Sequence, residues 1–326
     1  MKQISKGDIQ FISNTVVESD PWYSSKRLGG LSRFAFAITL LNIIGHTYLG
    51  FEQSWITPFV ALATAYSAEF LFEKIDSSMT QRKPRYSGGA VEKIKFLLPA
   101  HVGGLAIGML LYSPTGLKPI IFAVLFAIAS KYIFRITFTS FYSTQPINRH
   151  FLNPSNFAIT AVLLMFSSQV GITPPYMFTA NTYGWFDWLF PVVIIFLGSY
   201  LNIKATGRMP LIISWLTVFA IQAIVRSLYH DAPITSGLMP MTGFAFILFT
   251  FYMITDPATT PGAKPMQILF GAAVAIGYAV FMELNLVFGL FYSLTLVSIL
   301  RGMFIVAREK IGEQYEKAWD GTIDER

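Results

Sequence analysis

Along the chain, apolar residues come in long unbroken runs, and polar residues collect in the gaps between them. Ten runs can be delimited: Phe34–Tyr48, Ile56–Phe72, Phe96–Tyr112, Pro119–Phe134, Pro154–Gln169, Trp188–Ile203, Pro210–Leu228, Ser236–Ile254, Met266–Met282 and Leu286–Val306. Continuous apolar stretches of about 17–22 residues suit helices that cross a bilayer, whereas a β-barrel would show short alternating strands. In lipid every backbone N–H and C=O needs an internal partner, so each run is predicted to be helical. The expected fold is all-α, a polytopic membrane protein of ten transmembrane helices. Residues 1–326 form one transmembrane domain: a tail over 1–33, a bundle over 34–306 and a second tail over 307–326.

The basic residues set the orientation. With a cytoplasmic N-terminus, 22 of the 24 Lys and Arg fall in inner segments, and only Lys118 and Arg226 fall outside. This asymmetry predicts that the N- and C-termini are both cytoplasmic. Ten helices split five and five, and an odd half-count turns the second half upside down, as in an inverted repeat. Segment three opens with Pro99, His101, Gly103 and Gly104, and segment eight with Pro240 and Gly243. Either both prolines break their helices around a central site, or both sit in tolerant first turns. The inner gap Lys74–Lys95 reads as a flexible loop, and Arg308–Arg326 as a short surface helix that frays. Trp22, Tyr23, Trp185, Trp188, Tyr229 and Tyr252 are placed at or near the membrane interfaces.

Composition narrows the function classes. Hydrophobic residues make up 53% of the chain and charged residues 13%, about half the charge of a soluble domain. No cysteine is present, so iron–sulfur ligation, thiolate nucleophiles and Cys-type zinc sites cannot come from this chain. The net charge of +6 follows from topology and from contact with anionic membrane lipid, not from nucleic acid. The polar, mixed-charge start is not the pattern of a cleavable signal. Phosphate-loop, zinc-protease and dinucleotide motifs are absent.

Two inner-side motifs carry candidate chemistry. In Arg149–Phe157, Asn153 suits an N-cap and Pro154 the first helical turn. Asn153 and Asn156 would read the edge of a heteroaromatic ring stacked on Phe151 or Phe157, or the motif is a plain capped helix start. In Thr255–Pro261, Pro257 stops the helix and leaves Asp256 at the apolar boundary. There Asp256 either binds a cation, a base or a ligand N–H, or is a solvated acid in an Asx turn. His101 reaches the same inner cavity or is a hydrogen-bonded packing residue. Glu69 and Glu73 either reach water or offset Lys131 and Arg135, whose alternative roles are phosphate binding and snorkelling to headgroups. Gln222 and Arg226 read as interfacial. His150 is placed in a loop, and a bis-His haem among the four histidines is a weak reading.

Leu152-Asn153-Pro154-Ser155-Asn156-Phe157 is similar to the F-N-P-A signature of the RnfD/NqrB membrane subunits. Thr255-Asp256-Pro257-Ala258-Thr259 resembles their T-D-P-V-T signature, and Ile268-Leu269-Phe270-Gly271-Ala272 their L-I-F-G-A. Met241–Phe246, Leu197–Leu201 and Arg208-Met209-Pro210 also resemble the family, over roughly helices three to ten. Leu98–His101 and Met109–Tyr112 place the chain nearest the UnbU-like branch, the enediyne biosynthesis protein type. The resemblance implies a multi-pass protein of the inner (plasma) membrane with flavin, transmembrane electron transport and redox partner subunits; some members move sodium ions. It places Asn153, Pro154, Asn156, Phe157, His101, Thr255 and Asp256 near a non-covalent flavin, riboflavin or FMN, with no metal. The family's covalent FMN sits on a Thr in an S-G-A-T-like motif after helix five. The connection Val170–Asp187 holds Thr173, Thr179 and Thr182 without that motif, so covalent FMN is not expected. The chain is expected to be a component of a membrane oxidoreductase. The other readings are a transporter or channel for a flavin or natural-product intermediate, and a structural anchor.

Overall fold

The computed structural model describes residues 25–139, 146–173 and 181–323. The calls on Trp22, Tyr23 and Thr179 lie outside these residues. Each of the ten apolar runs holds helix. α1 (Ser25–Ile44) ends in a π turn, Gly45–Leu49, closed by left-handed Gly50 at φ 76°. α2 is Thr57–Met79, α3 Ala90–Leu110, α4 Lys118–Ile133 and α5 Pro154–Met165. α6 (Phe186–Leu201) also ends in a π turn, Asn202–Thr206, closed by Gly207 at φ 64°. α7 is Met209–Tyr229, and the eighth run is split into α8 (Ile234–Leu238), a 3₁₀ turn and α9 (Phe244–Leu248) with a π turn to Met253. α10 is Lys264–Glu283 and α11 is Gly289–Ile323.

Among the described residues, six helices are long and apolar enough to cross a membrane: Leu28–Leu49, Ala90–Leu110, Phe186–Thr206, Met209–Tyr229, Lys264–Glu283 and Gly289–Ile311. The bent pair Ile234–Thr242 and Phe244–Met253 makes a seventh if taken as one span. α4 and α5 have 16 and 12 residues. At 1.5 Å per residue they reach about 24 and 18 Å, short of a hydrocarbon core of about 30 Å. Large apolar side chains face outward along α6, Phe196 at 68% and Trp188 at 75% exposure. Such a surface is an association hazard in water and suits contact with lipid tails.

Several local expectations are corrected. The helix through Pro99 is unbroken, with the proline well inside it. The run through Pro240 is bent by 63°. α11 runs on as one helix to Ile323, so no separate surface helix follows the last span. Two short antiparallel ribbons join the helices. β1 (Leu111–Tyr112) pairs with β4 (Gly171–Ile172), and β2 (Arg135–Thr139) with β3 (Pro146–His150). His150 is therefore a strand residue, opposite Arg135. Tyr252 points inward, stacked on Phe34 at 5.3 Å and donating to Ile194 O at 3.2 Å. Its hydroxyl finds this partner only inside the bundle, whereas Trp185, Trp188 and Tyr229 are exposed.

Small residues bring the helices together. A Cβ on Gly104 would lie 3.1 Å from the Ala65 Cβ, and one on Gly271 only 2.5 Å from Leu211 O. Without lipid-versus-water hydrophobic drive between spans, such close approach supplies the packing contacts. The second half centres on Trp215, fully buried among Phe219, Phe246 and Phe249, its indole N–H donating to Thr250 Oγ1 at 2.9 Å.

The C-terminal end of α2 is a closed charge network. Glu69 pairs with Lys131 and accepts from the Tyr132 hydroxyl at 3.1 Å. Glu73 is fully buried and holds Arg82 and the Arg85 N–H, the latter at 2.8 Å. Asp76 bridges Arg82 and Arg135, the latter at 3.0 Å. Lys131 and Arg135 are thus spent on carboxylates. The loop after α2 is only residues 80–89 and is pinned at Arg82. Burial would lower the Arg82 pKa, but Glu73 and Asp76 outweigh it and hold the guanidinium's pKa up.

Candidate functional site

Asn153 caps α5. Its extended backbone lets Oδ1 accept the Asn156 N–H and the Ser155 hydroxyl, both at 3.0 Å, and Pro154 fills the first turn where no N–H is needed. The Asn153 Nδ2 donates to Met253 O at 3.1 Å. That carbonyl lies at the end of the π turn after α9, just before Asp256-Pro257 stops the chain from continuing as helix. Asn153 therefore reaches the chain two residues before the second motif, far away in sequence.

One turn on, Asn156 is 1% exposed and its Nδ2 donates to Phe291 O at 3.0 Å and Thr295 Oγ1 at 2.8 Å. Thr160, on the same face, donates to Phe291 O at 3.1 Å. The α5–α11 seam is thus polar, and both Asn156 N–H donors are used within the protein. Its Oδ1 is buried with no partner among the described residues. An unpaired buried acceptor costs about 1–3 kcal/mol. Phe157 turns away from this amide toward α4, 5.3 Å from the Phe134 ring and 6.5 Å from Phe126. Phe151 packs edge-on to Phe134 and over Gly302. Both rings expected to stack on a ligand have protein partners.

Thr255 is buried and donates to Phe251 O at 2.8 Å. Asp256 makes the Asx turn: Oδ1 accepts the Ala258 N–H and Oδ2 the Thr259 hydroxyl, both at 3.0 Å. This loop is held from two other elements. Arg208, at the N-cap of α7, donates from Nε to Thr260 Oγ1 at 2.9 Å and from Nη2 to Pro257 O at 3.4 Å. Arg301 of α11 donates to Thr259 O at 2.9 Å. Sequence reasoning missed both arginines as site residues; the only signals were Arg208 beside Met209-Pro210 and an Arg inside an apolar run.

His101 does not join this site. It sits between α1 and α2, with Nε2 at 2.7 Å from Thr39 Oγ1 and Nδ1 at 2.6 Å from the Tyr66 hydroxyl. The Thr39 proton goes to Ala35 O, so Nε2 donates and Nδ1 accepts from Tyr66. Both ring nitrogens are used in packing. Gln222 is not simply interfacial: both polar atoms of its amide are buried and have no partner among the described residues. Thr173 is buried, donating to Met109 O and accepting from Gln53, and Thr182 donates to Asp187. Among the described residues no group of three or more His, Cys, Asp or Glu could hold a metal ion. No protein-family model matches the chain, and no curated protein matches it.

Proposed function

We propose that this chain is a ten-span protein of the plasma membrane, built as two inverted five-segment halves with both termini cytoplasmic. In this reading it binds a non-covalent flavin near the inner face and acts as an electron-transfer component resembling the RnfD/NqrB subunits. Redox partner proteins would supply and remove the electrons. The two halves pack alike, which supports the repeat. α2 packs on α4 as α7 packs on α10; α4 on α5 as α10 on α11; α1 on α3 as α6 on α9. The first segment of each half ends in a π turn and a left-handed glycine. The fourth segment of each opens Lys-Pro, at Lys118-Pro119 and Lys264-Pro265.

The observation that carries the functional reading is the Asn153 Nδ2 to Met253 O bond. It sets Asn153 of the first family-like motif against the carbonyl two residues before the second, beside the buried Asn156 Oδ1, which has no partner among the described residues. That acceptor fits a ring N–H such as the one flavin presents. A bound flavin supplies one- or two-electron exchange; the chain would orient it, keep water away and set its hydrogen bonds. Purified protein should then carry an absorbance band near about 450 nm that is released on denaturation. A colourless preparation that binds neither riboflavin nor FMN on titration would end this reading.

The 63° bend of the eighth run favours a second reading, a transporter for a small solute, because broken spans in inverted repeats line such sites. Uptake into liposomes without any redox reagent would decide for it.

A further inference from the structure

The inner end of the bundle gathers more positive charge than it neutralises. Arg149, Arg208 and Arg301 come from three elements: β3, the N-cap of α7 and α11. The guanidinium of Arg208 is close enough to those of Arg149 and Arg301 to feel their repulsion, and to Asp256 to feel its attraction. Arg208 is itself 8% exposed. None of the three is in an ion pair among the described residues. The one acid nearby among the described residues, Asp256, spends its oxygens on the Ala258 N–H and the Thr259 hydroxyl. Among the described residues, three cations thus share one neighbouring carboxylate, an excess of two positive charges.

Arg208 and Arg301 have a structural duty, since they clamp carbonyls and a hydroxyl of the 256–260 loop. Arg149 has none. The ladder sets it opposite Ile136, and facing residues of an antiparallel pair share a side of the ribbon. Ile136 is buried, whereas Thr137 and Asn148 on the other side are exposed. The ribbon therefore turns an arginine toward the bundle where an apolar residue would pack. Its Nε is buried and has no partner among the described residues. Gly302 fixes the approach: a Cβ there would lie 2.5 Å from the Phe151 ring, so the chain just after Arg149 presses against α11 beside Arg301.

We infer that Arg149, Arg208 and Arg301 form a binding site for a phosphate group, Arg149 giving the guanidinium left free to fork onto it. Guanidinium forks match phosphate oxygens in two-point geometry, and a site with two excess charges suits a phosphate mono- or dianion. The same chemistry is carried by the phosphate of a nucleotide-type cofactor and by a phospholipid headgroup. The site stands apart from the flavin reading, which concerns the amide at Asn156.

Protein in an uncharged maltoside detergent can be titrated with inorganic phosphate against chloride at matched ionic strength, with thermal unfolding as the readout. The expected result is a saturable rise of the unfolding temperature with phosphate, with an apparent affinity about tenfold weaker in Arg149→Gln. A wild-type midpoint that follows ionic strength alone overturns the inference, whether or not the variant folds. A saturable rise that a folded Arg149→Gln leaves unchanged overturns it too. Two arms name the source. FMN bound more tightly than riboflavin, with the difference lost in Arg149→Gln, assigns a nucleotide-type phosphate. Phosphatidylglycerol co-purifying with wild type but not with Arg149→Gln assigns a lipid headgroup. Phosphate binding without any flavin binding leaves this site standing while the flavin reading falls; equal riboflavin and FMN binding with no phosphate effect does the reverse.

Discussion

Most polar side chains buried in this bundle are consumed within it. Glu69 is 4% exposed and is balanced by Lys131 and the Tyr132 hydroxyl. Removing one partner of a buried pair strands the other charge and costs about 3–5 kcal/mol, whereas replacing both with apolar residues is close to neutral. Lys131→Met should therefore lower stability by about 3 kcal/mol, and Glu69→Leu with Lys131→Met should recover most of it. Unfolding in detergent measures both, and a neutral Lys131→Met would show that Glu69 is not held by this lysine. Against that background the buried atoms without a partner among the described residues are informative: Asn156 Oδ1 and Arg149 Nε, together with Asn42 Oδ1, His46 Nε2, Gln53 Oε1, Gln267 Oε1 and both polar ends of Gln222. Asn153, Pro154 and the Asx turn at Asp256 could be read from residue type and spacing, because capping and turn chemistry are local. The companions Thr295, Arg208 and Arg301 could not, since only tertiary packing brings them near.

Helices were legible in this chain because lipid-facing runs need no amphipathic period to be seen; unbroken hydropathy is enough. Their internal geometry was less so. Nothing in the runs Phe34–Tyr48 and Trp188–Ile203 marks a π turn, although Gly50 and Gly207 mark the left-handed stop. Pro99 and Pro240 look equivalent as sequence, yet only the second lies in a broken run. Gly243, extended at ψ 143°, follows the 3₁₀ turn there, whereas α3 is packed along its length by Ala61, Ala65 and the α5 contact. The β2–β3 ribbon escaped notice because Arg149 and Asn148 interrupt its apolar alternation. Helix contact itself rests on missing side chains. Gly271→Ala would put a methyl 2.5 Å from Leu211 O, a backbone atom that cannot move aside alone. The variant should lose about 1–3 kcal/mol, read as a lower unfolding temperature; an unchanged midpoint would mean that α7 and α10 can part freely.

At the scale of the whole molecule, the proposed topology has a direct test. The chain has no cysteine, so single cysteines can be placed without removing native ones. Ser87 and Thr115 are both exposed and lie in loops at opposite ends of α3. In intact cells a membrane-impermeant maleimide should label Thr115→Cys, and Ser87→Cys only after lysis. Labelling of both from the same side would overturn the proposed orientation and, with it, the inverted halves.

α11 has 35 residues, and the 23 from Gly289 to Ile311 are enough to cross. The remaining twelve extend the same rod by about 18 Å at 1.5 Å per residue. A helix gripped by α5 and β2 passes any sideways push on its length beyond Ile311 back to the seam where Phe291 and Thr295 meet Asn156. A docked neighbour at the far tip would thus have mechanical leverage on the buried amide.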